Sequence, residues 1–185
     1  MKSRITLMVS LIALLLPPIT IADTGGIGVW LTPKRLKEVD RVTNARYAEE
    51  CSACHFAYQP GLLPARSWKK LLDSKALADH FGENAELGEE TRLEIEKYAV
   101  ANAADESNYK RSRKIMASLP SKSTPLRITE TPYIKEKHGE IPKELIAGNP
   151  QVQSLSNCNH CHTRADKGVF DDDTVFIKGH GPWDD

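Results

Sequence analysis

Hydrophobic and polar positions follow different rhythms in different parts of this chain. Ile5 to Leu16 is a largely apolar run, preceded by Lys2 and Arg4 and broken by Pro17-Pro18. Thr20-Ile21-Ala22 before Asp23 supplies a small-residue cleavage site. That order predicts an export signal peptide over residues 1–22, with an apolar run too short for a comfortable membrane span. Thr32-Pro33 is a helix start, and Leu36, Val39 and Val42 recur at three-residue spacing. This helix, or a second one after a break, is expected to run through Ala45, Tyr47 and Ala48 into Cys51. Trp68, Leu71 and Leu72 mark one side of a helix over Ala65 to Lys75, with Trp68 read as ordinary core. Asp79 to Ala85 reads as a loop. Gly88 to Ala104 has the strongest helical pattern, with Leu87, Thr91, Ile95, Tyr98 and Ala99 on one face and Glu89 and Glu90 at its positive end.

Beyond Asp105 the pattern fades. Lys110, Arg111, Arg113 and Lys114 suggest a short basic helix ending near Leu119, and a solvated face is the expectation for such a run. The functional alternative is a docking patch for an acidic partner. Pro120 to Pro125 reads as a linker. Pro125, Pro132, Pro142 and Pro150 punctuate the remainder; Arg127-Ile128-Thr129 is expected to be extended, and Lys143 to Ala147 to form a helical turn or two. The pattern predicts a mainly α protein with a helical domain over residues 23–119 and a small, loop-rich domain over residues 120–185.

Charge changes this picture little. The chain has 25 basic and 25 acidic residues, and residues 1–22 carry two of the basic ones. A near-neutral mature chain argues against a nucleic-acid partner.

The cysteines change it more. Cys51-Ser52-Ala53-Cys54-His55 and Cys158-Asn159-His160-Cys161-His162 each read C-x-x-C-H, and together they use all 4 cysteines. This is the attachment signal of a c-type haem. Two thiols at this spacing form thioethers to one porphyrin, and the histidine that follows ligates its iron. Two covalently attached haems c are therefore expected, on Cys51 and Cys54 and on Cys158 and Cys161. Two disulfides or one zinc site would use the same cysteines, but neither requires a histidine directly after both pairs. A loop-rich C-terminal segment has too little core of its own, and a haem would replace what is missing.

His55 and His162 thus become proximal ligands. The second axial positions, where filled, take methionine or histidine. After residue 22 the only methionine is Met116, which is expected to serve in packing. His160, tethered between two cysteines, is expected to point away from its own iron. His80 lies in the loop before the strongest helix and is a candidate ligand for the first haem. For the second, His138 and His180 compete; His138 is preferred because His180 lies near a terminus that is prone to fraying.

The order helix, CxxCH, loop, helix, late ligand and closing helix over residues 33–104 resembles a class I cytochrome c, with His80 where that fold usually offers methionine. More specifically, Glu49 to Pro64, His80 to Ala85, Arg127-Ile128-Thr129, Lys137-His138 and Cys158 to His162 together resemble the bacterial dihaem cytochrome c family. The resemblance implies an electron-transfer protein rather than an enzyme, in the periplasm, with two bis-histidine low-spin haems: His55 with His80 and His162 with His138. It also implies redox-protein partners, an oxygen-binding monohaem cytochrome c and a membrane cytochrome b, and no small-molecule substrate. The alternative is a dihaem enzyme or gas-binding protein with one open iron position, such as a peroxidase.

Overall fold

The computed structural model describes residues 38–183. The expected signal peptide and the Thr32-Pro33 helix start lie outside the described residues. Seven α-helices are described: α1 (Ala45–Ser52), α2 (Ala65–Leu71), α3 (Ser74–Ala78), α4 (Glu89–Ala101), α5 (Lys110–Ser118), α6 (Pro132–His138) and α7 (Lys143–Ile146). A short antiparallel ladder closes the chain, β1 (Phe176–Ile177) with β2 (Gly181–Pro182), in the register Phe176 to Pro182 and Ile177 to Gly181. The protein is mainly helical, and after α7 its backbone runs through 3-10 turns and loops.

α1 begins where Asn44 accepts a hydrogen bond from the Tyr47 amide at 2.7 Å, satisfying one of the unpaired first-turn amides. Tyr47 is then buried, and Cys51, one turn later, packs on the same core. α4 lies across α1 and α2 and buries Ile95 and Ala99. Burying Ile95 stabilises by roughly 2 kcal/mol, and the single methyl of Ala99 by about 0.8 kcal/mol. Trp68 on α2 is buried, and its indole donates to the Pro60 carbonyl at 2.8 Å.

The core continues past residue 119. Ile128, Tyr133, Ala165 and Phe170 join Tyr47, Leu62, Ile95 and Ile115 in one cluster. Gly61 is the close approach in this region: a Cβ there would lie 2.7 Å from Val39 Cγ2 and 2.8 Å from Ser112 Oγ. A buried ion pair crosses the body. Arg111 donates to the Glu38 carboxylate, the Tyr133 hydroxyl and the Phe170 carbonyl, and Lys110 reaches Glu38 at 3.2 Å.

Several elements differ from the sequence expectation. Val39 is buried, but residues 38–44 form no helix. The amides of Glu38 and Val39 both donate to the carbonyl of Gly168, at 2.9 and 3.1 Å, so Val39 is buried by docking and not by a helical stripe. The helix expected over Ala65 to Lys75 breaks at Leu72-Asp73, where Asp73 caps α3 by accepting from the Lys75 amide. α4 stops at Ala101 and not Ala104. Arg127-Ile128-Thr129 enters a 3-10 turn and is not extended, because the Glu130 amide returns to the Arg127 carbonyl and Thr131 Oγ1 to the Ile128 carbonyl. Of the basic run on α5, Arg111 is buried and not solvated. α6 was not expected; Pro132 starts it at a position where its missing amide costs nothing.

Candidate haem sites

The first site is assembled from α1 and the loop between α3 and α4. Cys51 lies in the last turn of α1, half-buried; Cys54 is exposed just beyond it. Burial, then the charge of Glu50, pushes the Cys51 thiol up to about 12. His55 donates from Nδ1 to the Phe56 carbonyl at 2.8 Å, which fixes the tautomer and leaves Nε2 as a lone-pair donor. His80 sits on a tight turn in which its amide donates to the Glu83 carbonyl at 2.7 Å. Its ring lies 6.4 Å from that of His55, with the planes 21° apart. Burial, then the charges of His55 and Arg127, lowers its pKa, so the ring is biased to the neutral form that binds metals.

The second site is assembled from α6, α7, the second motif and the hairpin. Cys158 is pushed up to about 11, chiefly by burial. The Phe176 amide donates to the Cys161 carbonyl at 2.9 Å, and His162 forms a bridge to Val175, so the hairpin braces the motif from behind. His138, the last residue of α6, places its Nδ1 2.8 Å from the Ile134 carbonyl one turn back. Its ring lies 6.0 Å from that of His162, with the planes 71° apart. Burial, then the charges of His138 and Arg111, lowers the His162 pKa to about 4, against a smaller opposing effect of Glu38.

Between these two histidines opens a cavity walled by Ile134, Ile141, Leu145, Ile146, Val152, Val175, Ile177 and Trp183, with Cys158 and Cys161 at its edge. Sequence reading missed this aliphatic wall. Its signal was present: Ile134, His138, Ile141 and Leu145 keep a helical spacing across Pro142. His180 is exposed, its ring 6.1 Å from Trp183, and it does not line the cavity that His138 lines. His160 is half-buried, and its Nδ1 has no hydrogen-bond partner. Met116 packs on the core from α5.

The donor set suits haem iron. All four cysteines are free thiols, as thioether formation requires. Among the described residues, no three His, Cys, Asp or Glu side chains converge on a metal position, so the zinc reading has no ligand cluster. Two opposed histidines are enough when a porphyrin supplies the other ligands. Two metal–imidazole bonds of about 2 Å, plus roughly 1 Å from each nitrogen to its ring centre, span about 6 Å. Both ring pairs have that separation.

Comparison with known proteins settles the class. A family model described as dihaem cytochrome c matches residues 47–170, from the middle of α1 through both motifs. The chain belongs to the dihaem cytochrome c family. Among solved structures it is similar to a dihaem cytochrome c from Shewanella baltica OS155, with 40% identity over 76% of this chain and 98% of that one, and a TM-score of 0.62. A dihaem cytochrome c from Rhodobacter sphaeroides has 45% identity over 71% of this chain and 100% of its own, with a TM-score of 0.63. A further Rhodobacter sphaeroides structure gives 45% identity over 70% and 99%, with a TM-score of 0.55. Nothing among curated proteins matches. Membership fits two covalent haems c, at Cys51 and Cys54 and at Cys158 and Cys161, and an electron-carrier role.

Proposed function

We propose that this dihaem cytochrome carries single electrons in the periplasm, with each iron held by two histidines. His55 and His80 would hold the first, His162 and His138 the second. The observation that carries this reading is the pair of ring separations, 6.4 and 6.0 Å, each the span of one metal atom between two imidazoles. When bound, the haem supplies a one-electron couple.

The protein's part is to hold the ligands still. Phe56 and Ile134 carbonyls orient the rings of His55 and His138, as outer-shell partners of metal-binding histidines commonly do. Burial biases His80 and His162 to the neutral form. Held by His55 with His80 and by His162 with His138, the haems would have no position open to substrate, and the fixed rings would leave little to move on electron exchange. Histidine in place of methionine would also keep the potential low. A periplasmic location is supported by the charge-apolar-break order of residues 1–22. The partners we infer are an upstream membrane cytochrome b and an oxygen-binding monohaem cytochrome c as acceptor.

Absorption spectra of the purified holoprotein, oxidised, reduced and reduced under carbon monoxide, test this. Two low-spin haems per chain, no methionine-to-iron band and no rapid response to carbon monoxide are expected. A high-spin component, or rapid carbon monoxide binding at one haem, would overturn the closed-site assignment in favour of an enzyme or gas-binding protein.

A further inference from the structure

We propose that Arg127 is a positioning residue for the first haem: through Phe81 it holds His80 in place. This rests on the reading of His80 as an axial ligand. The observations form a chain of three side chains. The Phe81 ring packs edge-on against the His80 ring, with centroids 4.9 Å apart and planes at 67°. Over Phe81 lies the Arg127 guanidinium, 3.9 Å from the ring centroid. That is well inside the range of cation–π attraction.

Phe81 needs such a hold. It has φ +58°, a left-handed conformation that bulky residues rarely adopt, and 45% of its surface is exposed. Neither burial nor backbone preference keeps it there. The turn itself is held by short-range bonds: His80 and Glu83 pair, and Gly82 donates to Asp79 Oδ1 at 3.1 Å. None of these constrains the aromatic ring. Arg127 supplies the long-range restraint, reaching from the segment after α5 back to the loop before α4.

Arg127 is itself projected from a fixed base. Upstream, the Ser123 carbonyl accepts from Arg66 Nε on α2 at 2.5 Å. Downstream, Ile128 is buried in the core. Glu130 Oε1, 3.7 Å from Arg127 Nε, adds a weak tether on the exposed side. The guanidinium is therefore anchored at both flanks and presents a flat cation to a flat ring.

The test is carbon monoxide binding to the reduced holoprotein, haem by haem. Arg127→Ala should raise the binding rate at the first haem by about twofold to fivefold, the effect of losing one exposed cation–π contact. Arg127→Lys, which keeps a cation over the ring, should restore most of the wild-type rate. Phe81→Ala should resemble Arg127→Ala, and the double variant should add little to either single one, since both remove the same contact. His80→Ala is the reference that fully opens the site. If His80→Ala opens the first haem and Arg127→Ala leaves the rate at the wild-type value, the positioning role is wrong and the ligand assignment stands. If His80→Ala changes nothing, both are wrong. A rise in Arg127→Ala that Arg127→Lys does not reverse would also overturn the proposal.

Discussion

The Tyr58 hydroxyl donates to the Ser156 carbonyl at 2.7 Å, tying the residue three positions past His55 to the residue two positions before Cys158. The Tyr58 ring also stacks on His55, with centroids 4.9 Å apart and planes at 25°. One side chain thus touches His55, the proposed proximal ligand of the first haem, and the approach to the second motif. Burial and the proximity of Cys158 push Tyr58 up to about 12, so it remains a donor through neutral and mildly alkaline pH. Tyr58→Phe should keep the stack and lose the bond, costing about 1 kcal/mol in thermal unfolding of the holoprotein with both haem spectra unchanged. A loss near zero would show that the two motifs do not depend on this tie.

The proposed distal histidines separate by substitution. His80→Ala should leave one haem high-spin and reactive to carbon monoxide, and His138→Ala the other. His180→Ala should leave the spectrum alone, because His180 faces Trp183 and not the cavity. Absorption and magnetic circular dichroism of the three variants check this, and a spectral change in His180→Ala would reverse the assignment at the second haem.

The two ring pairs differ in a way spectroscopy reads. With His55 and His80 on one iron as proposed, their near-parallel rings, at 21°, would act on the same d orbital and split it from its partner. The crossed rings of His138 and His162, at 71°, would act on one orbital each and leave them nearly equal. The oxidised protein should give one rhombic low-spin paramagnetic resonance signal and one strongly anisotropic signal. Two identical signals would contradict the ligand geometry.

The buried Glu38–Arg111 pair should make stability pH-dependent. Burial raises the Glu38 pKa, but the hydrogen bond and charge of Arg111, with Lys110, reverse this and leave it below the usual carboxylate value. A lowered folded pKa stabilises above the unfolded value of about 4.3, and that contribution is lost as pH falls through the folded value. Glu38→Gln should cost about 3 kcal/mol at neutral pH, since Arg111 is then a buried charge without its counter-ion. It should also flatten the acid limb of the stability curve. Thermal melts of holoprotein between neutral pH and pH 3 measure both.

What the sequence revealed followed distance along the chain. Both CxxCH motifs are local, and so is the Ile95 and Ala99 face of α4. Arg111 looked like its neighbours Lys110, Arg113 and Lys114 because the carboxylate that draws it inside lies 73 positions away. Val39 imitated a helical stripe because the acceptor that buries it is Gly168. α6 was hidden by Lys135, Glu136 and Lys137, a charged run that directly follows Tyr133 and Ile134. Its apolar side turns to the haem cavity, so the wall formed by Ile134, Ile141 and Leu145 had no visible protein partner.

The Gly168 clasp bears on how the molecule comes together. Gly168 has φ +71°, and a Cβ there would lie 2.1 Å from the Val39 carbonyl oxygen, so glycine lets the two backbones meet. The Glu38 carboxylate also accepts from the Phe170 amide at 3.2 Å, a contact spanning 132 positions. During synthesis residues 38–39 must wait for residues 168–170. Such a closure loses loop entropy before any contact repays it, which makes it a late and slow event. Maturation enzymes would thus meet the first motif on an unlatched chain, and the latch would close only after the second motif had emerged.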